Sequence, residues 1–260
     1  MRGNPLILLY TLFYNLNVVI TTKKRKKLYN NFMLKKLKNE IIVSIQAMSD
    51  EPLYNCIDEM AASVIELGGA KAVRLAGERD IKSIKEKFND IVVIGITKPN
   101  KIPSNYKELV YITPNVDDCA RVIEAGADVV AFDGTMRVRP NNEKLEDLIN
   151  FIHSKNKLAM ADIATFEEAK NAYELGVDIV STTLSGYTIE TKDKLAEPDF
   201  ELVKKIKENL DVFTILEGKI WEKSDVARAL VSGADAIVVG SAITRPQLIF
   251  KRFKEGLNNE

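Results

Sequence analysis

Eight short apolar runs, each rich in β-branched residues and each followed by a segment of helical period, restrict this chain more than any other feature. They are IIVSIQ (41–46), AVRLA (72–76), IVVIGIT (91–97), DVVAFDG (128–134), KLAMADI (157–163), DIVSTTL (178–184), VFTILEG (212–218) and AIVVGSA (236–242). Between them lie amphipathic stretches such as DDCARVIEAG, FEEAKNAYELG and SDVARALVSG. Three helical segments close on Gly-Ala-Asp or Gly-Val-Asp just before the next run, in EAGADVV, ELGVDIV and VSGADAIVV. Glycine there takes the left-handed cap that ends a helix and releases the chain into a strand. A βα unit copied around a ring leaves such a trace. The chain is predicted to be of the α/β class: a single-domain (β/α)8 TIM barrel over residues 33–260, with a non-barrel extension at 1–32. An open doubly wound sheet is the alternative, but it calls for a GxGxxG loop after an early strand, and none occurs. ELVYITP (108–114) reads as part of the third βα connection rather than as a ninth strand.

The extension differs in character. PLILLYTLFYNLNVVITT is apolar but holds Asn15 and Asn17 and is short for a spanning helix. The basic cluster KKRKK follows it, whereas a signal peptide carries its charges first. A marginal anchor is one reading; the favoured one is a disordered tail or a start site assigned too early, with Met33 as the true start. No membrane partner is expected unless the extension is real.

Composition narrows the chemistry. Lys and Arg total 37 and Asp and Glu total 37, so there is no general electrostatic case for a nucleic-acid partner. Cys56 and Cys119 are far apart and outside any CxxC pattern, which disfavours a disulfide framework or a zinc site and suits the cytoplasm. His153, the one histidine, sits in NFIHSKNK at the expected end of a helix. Histidine-rich metal centres are thereby excluded, and a Ser-His-Asp triad would need that residue as its base. Chemistry here must run on Lys, Glu, Asp, Arg or Cys; no metal and no cofactor is expected.

In such a barrel the reacting groups come from the carboxyl ends of the strands. Those ends read Gln46, Arg74, Lys98, Asp133, Asp162, Thr182 with Thr183, Glu217, and the GSAITR segment after the eighth run. Glycines and backbone N–H groups follow the last two strands, where these barrels commonly hold a phosphate. Gly218, Gly240 and Ser241 are candidates for its cradle, with Lys219 or Arg245 supplying charge. Lys98 and Glu217 end strands that lie across the ring from each other. A desolvated lysine loses basicity and can accept a proton as a neutral amine, while a half-buried carboxyl can hold one. Two such groups on opposite sides of a substrate can invert an acidic carbon. An imine on Lys98 is the chemical rival.

The segments IIVSIQA, VIGITK, YITP, ADVVAFD, MADIATFEEA, TTLSGYT, PDFELV, ILEGKI and VVGSAITRP follow one another along the chain. From about Met33 to the end it closely resembles the N-acetylmannosamine-6-phosphate 2-epimerases of sialic acid breakdown. The resemblance implies metal-free epimerisation at C2 of a 6-phosphorylated N-acetylhexosamine, with the sugar phosphate as partner and a homodimer left open. It implies Lys98 as general base, Glu217 as its acid-base partner, and Gln46, Arg74, Asp162 and Arg245 as substrate-binding or charge-orienting groups. Phosphate would lie against Gly218 and Gly240–Ser241. Ile45 departs from the pattern, where a small residue or cysteine is expected, and Lys219 often appears as arginine in relatives. Other sugar-phosphate isomerases, a Schiff-base lyase and a non-catalytic sugar-phosphate sensor are the alternatives; ribulose-phosphate epimerases are disfavoured because they need histidines for metal.

Overall fold

The computed structural model describes residues 22–193 and 197–258, so the apolar run at 5–21 and its reading as an anchor lie outside them. Eight parallel strands close in sequence order: β1 (Ile41–Ile45), β2 (Ala72–Ala76), β3 (Val92–Ile96), β4 (Val129–Asp133), β5 (Leu158–Asp162), β6 (Ile179–Ser181), β7 (Phe213–Glu217) and β8 (Ala236–Val239), which pairs back with β1. Helices fill the connections: α1 (Thr22–Leu37) precedes β1, then come α2 (Ile57–Ala62), α3 (Glu78–Lys87), α4 (Val116–Glu124), α5 (Leu145–Ser154), α6 (Phe166–Glu174), α7 (Phe200–Asn209), α8 (Lys223–Val231), α9 (Ser241–Thr244) and α10 (Pro246–Glu255). The expected barrel is therefore present, and ELVYITP forms no strand.

The period of two along each strand separates two apolar layers. One parity fills the barrel: Ile42, Ile94, Ala131, Met160, Ile215 and Val238 cluster with Met33 and Leu37 of α1. The other parity, including Val73, Val93, Phe132 and Val180, packs outward on helix residues such as Ile84, Val122 and Ile206. Gly95 lies on that outer face because a Cβ there would stand 2.6 Å from Val122 Cγ1 and 2.9 Å from Ile81 Cδ1. Carried upward, the inner parity reaches Arg74, Lys98, Asp162 and Glu217. The same alternation that packs the interior thus delivers charge to its upper end.

Two strands stop earlier than the sequence suggests. Thr182–Leu184 turns into a 3-10 helix instead of extending β6. Thr182 Oγ1 donates to the Glu217 carbonyl at 3.0 Å and accepts from the Glu217 N–H at 3.1 Å, which pins β7 and frees the chain to turn. After β8 the chain enters α9 at once, with Thr244 Oγ1 donating to the Ser44 carbonyl at 3.0 Å.

The repeated Asp after each helix-ending glycine has a role that the cap alone does not explain. Asp128 accepts from Lys85 Nζ at 2.9 Å and from Val93 N at 3.0 Å. Asp235 accepts from Lys207 Nζ and Thr214 N, both at 2.9 Å. Asp178 accepts from Ala159 N at 2.9 Å and lies 2.8 Å from His153 Nε2. Each carboxylate ties the start of one strand to a cation or ring on the helix before it. His153, in the last turn of α5 as expected, belongs to this scaffold.

Helix α1 runs across residue 33 without a break. Met33 and Leu37 are buried under the barrel, Tyr29 packs beside them, and Asn30 Nδ2 donates to Asp178 Oδ1 at 3.0 Å. Among the described residues no helix is long and apolar enough to cross a membrane.

Candidate active site

A cavity of about 480 Å³ opens at the carboxyl ends of the strands, within the usual range for small-molecule sites. Gln46, Lys98, Glu217, Gly218, Lys219, Gly240, Ser241 and Arg245 all line it. Arg74 and Asp162 do not: both are buried below the lining.

That buried layer is a guanidinium shared by two carboxylates. Arg74 Nη1 and Nη2 donate to Asp162 Oδ1 and Oδ2 at 3.1 and 2.5 Å, a two-pronged grip, and Nη1 also pairs with Glu217 Oε2. Burial by itself pulls the Arg74 pKa down, but Asp162 and Glu217 outweigh that pull and raise it above its ordinary value. One cation cannot neutralise two acids. Asp162 takes the better geometry, so burial, with the nearby Asp162 charge, pushes the Glu217 carboxyl above the usual carboxylate range against the pull of Arg74. Thr183 Oγ1 joins the group, 2.7 Å from Asp162 Oδ1, 3.0 Å from Glu217 Oε2 and 3.3 Å from Arg74 Nη1.

Lys98 follows Ile94 and Ile96 in the inner parity of β3 and extends past its end. Its Nζ donates to Gln46 Oε1 at 2.7 Å, and Gln46 Nε2 donates to Ser44 Oγ at 2.9 Å. Burial first, then the Arg74 charge, bring the Lys98 amine down to about 8. Lys98 and Glu217 feel each other electrostatically across the cavity. Ammonium with carboxylate, and amine with carboxylic acid, carry the same total charge, so moving a proton between the two groups leaves the net charge of the cavity unchanged.

The far side of the cavity is built from backbone. Gly218 has φ of +107° and Lys219 of +61°, a left-handed pair that reverses the chain after β7 and lays Lys219 Nζ 5.6 Å from the Tyr187 ring centre. In the short helix α9 the N–H groups of Ile243 and Thr244 donate to the Gly240 carbonyl at 2.9 and 3.0 Å, which leaves those of Ser241 and Ala242 without an acceptor inside the helix. Arg245 Nη1 pairs with Glu51 Oε1 at 2.6 Å, and its Nη2 donates to the Gln46 carbonyl at 3.2 Å. Among the described residues, no three His, Cys, Asp or Glu side chains stand together as a metal site.

Asp133, one of the polar strand ends, is fully buried and lies outside the cavity lining. Its Oδ1 accepts from Thr135 N and Thr135 Oγ1 at 3.0 and 2.6 Å, and its Oδ2 from Arg137 Nη2 at 2.7 Å. The wall residues Ser44, Tyr111, Leu184, Tyr187 and Trp221 were not singled out from the sequence. Ser44 was within reach of the alternation, two residues before Gln46; Leu184 ends the 3-10 turn that replaces expected strand, and Tyr111, Tyr187 and Trp221 sit on loops with no period to reveal them. Burial raises both phenols, Tyr111 to about 12, so each stays a neutral hydrogen-bonding group.

The family model described as "Putative N-acetylmannosamine-6-phosphate epimerase" matches residues 57–259. A Clostridioides difficile (strain 630) protein named "Putative N-acetylmannosamine-6-phosphate 2-epimerase" is 44% identical over 227 residues, covering 86% of this chain and 99% of that protein. A relative of the same name from Clostridium perfringens (strain 13 / Type A) is 43% identical over 224 residues, with 86% and 99% covered. The solved structure of the N-acetylmannosamine-6-phosphate 2-epimerase from Clostridium perfringens superposes with a TM-score of 0.79 at 43% identity, covering 86% of this chain and 95% of that one. The chain belongs to the N-acetylmannosamine-6-phosphate 2-epimerase family.

Proposed function

We propose that the protein epimerises N-acetyl-D-mannosamine 6-phosphate at C2 to N-acetyl-D-glucosamine 6-phosphate, without a metal, by removing the C2 proton on one face and returning one on the other. The observation that carries this reading is the placement of Lys98 and Glu217 on one cavity, above a buried Arg74–Asp162 pair. In the open-chain sugar, C2 lies beside the C1 aldehyde, and loss of its proton spreads charge onto the carbonyl oxygen. Neutral Lys98, its hydrogen bond to Gln46 kept, has a lone pair for that proton. The new ammonium then lies close to the enolate oxygen, where opposite charge lowers the barrier. Glu217, holding a proton, supplies it from the opposite side; in the reverse direction the roles exchange.

In this reading Arg74 and Asp162 act through Glu217 rather than on the sugar, because their charged groups are spent on each other and on that carboxyl. The phosphate is assigned to Gly218, Gly240 and Ser241, where N–H groups and the left-handed turn leave room for an anion, with Lys219 and Arg245 adding charge. Arg245 would trade Glu51 for phosphate.

Proton NMR of N-acetylmannosamine 6-phosphate with the protein in deuterated water tests the whole reading. The C2 proton signal should disappear as the N-acetylglucosamine 6-phosphate signals grow, deuterated at C2. Conversion without deuterium, or no conversion, overturns it.

A further inference from the structure

Among the described residues, every side-chain hydrogen bond of Glu217 falls on one oxygen. Arg74 Nη1 and Thr183 Oγ1 both stand against Oε2, Thr183 at 3.0 Å. An oxygen that already accepts two donors has little room for a proton of its own. The Thr183 hydroxyl has a single proton, yet two carboxylate oxygens lie within reach of it: Glu217 Oε2 and, at 2.7 Å, Asp162 Oδ1. Ser181 Oγ is 2.9 Å away on its other side. This crowding comes from the chain path: Thr182 clamps the Glu217 backbone, the 3-10 turn follows, and Thr183 is carried inward over the Arg74 pair.

Resting on the epimerase reading, we infer that Thr183 is a positioning residue for proton transfer: its hydroxyl donates to Glu217 Oε2 while that carboxyl is ionised and turns to Asp162 Oδ1 once the carboxyl is protonated. The hydroxyl follows the negative charge, because a charged oxygen is the stronger acceptor. No heavy atom has to move, since both oxygens are already in range. With Oε2 occupied in the ionised state, the arriving proton goes to Oε1, the oxygen left to the cavity. The carboxyl is thereby aimed with its proton toward the sugar in one half of the cycle and with its vacant site there in the other. Thr183 itself exchanges no proton with substrate.

The full-length protein with Thr183→Val and with Thr183→Ser tests this through two readouts. In protein labelled with carboxyl-13C glutamate, the Glu217 signal of Thr183→Val should titrate at higher pH than that of the unsubstituted protein, because the ionised form has lost a donor. With N-acetylmannosamine 6-phosphate, its kcat should fall about tenfold or more, with KM within about threefold, the loss expected from one hydrogen bond to a charged group. Thr183→Ser keeps the hydroxyl and should restore both. An unmoved Glu217 titration in Thr183→Val overturns the assignment, as does a serine variant no better than the valine one. If the unsubstituted protein leaves the sugar phosphate unchanged, the epimerase reading fails, while the carboxyl titration still decides the role of Thr183.

Discussion

Two sets of acid–base pairs in this barrel use the same residue types to opposite ends. At the strand starts, Asp128, Asp178 and Asp235 each meet a backbone N–H and one basic side chain, and each pair is partly open to water. At the strand ends, Arg74 is 1% and Asp162 0% exposed, a second carboxyl competes for the same guanidinium, and Arg74 Nε has no hydrogen-bond partner among the described residues. The two outer lysine pairs, Asp128–Lys85 and Asp235–Lys207, are balanced charge for charge, and what the outer set does is hold strand to helix. The inner group is short of one positive charge unless Lys98 supplies it. Where charge is balanced locally the pair is scaffold; where it is left unbalanced and dry, pKa values move and a proton can be handed on.

Replacing Lys98 should separate the two sets most sharply. Lys98→Met is expected to lower C2 proton exchange by about 100-fold to 10,000-fold, the range for losing a general base; exchange at the original rate would remove Lys98 from the mechanism. The same variant should melt at higher temperature at pH 7, because it no longer holds an ammonium in a desolvating site. The sign follows from an amine brought from 10.5 to about 8 in the folded state. Below about 8 both states are charged and the penalty is complete; between there and 10.5 the unfolded chain binds more protons, so native stability rises with pH; above 10.5 the penalty is gone. The advantage of the methionine variant in thermal melts should therefore shrink across that window, and a constant offset would contradict it.

Asp162→Asn comes next. It leaves a buried guanidinium with only Glu217 as a charged partner, at a cost of about 3 kcal/mol of stability by urea unfolding. Arg74 then acts on Glu217 alone, its carboxyl titrates at lower pH, and the limb of the kcat profile that belongs to it moves the same way. A variant of unchanged stability and profile would mean that the two carboxylates are not coupled. Lys207→Ala, from the outer set, should cost about 1 kcal/mol or less, as for other part-exposed pairs, and leave kcat unchanged. A loss of activity there would erase the division between scaffold and site.

The two sets also differ in how much of them could be read from residues alone. The ring of eight βα units was readable because strand period and helix-ending glycines repeat, and a repeat survives local irregularity. Lys98 and Glu217 could be found because each stands at the end of an apolar run, where a charge is unexpected. Asp133 satisfied the same rule yet is consumed by Thr135 and Arg137, since position at a strand end does not say which neighbours a loop will bring. Arg74 and Asp162 were picked out, but their depth was not visible: whether a charge lines a cavity or lies beneath it depends on ring closure and register between distant strands. Thr183 depended on a turn where the run DIVSTTL suggests continued strand.

Helix α1 reaches the barrel at its closed end, with Met33 and Leu37 as a stopper and Asn30 as a tether. Sugar phosphate would come and go through the opposite end. A fluorescent protein or surface-immobilisation tag fused ahead of α1 would therefore sit behind the catalyst, with substrate traffic unobstructed.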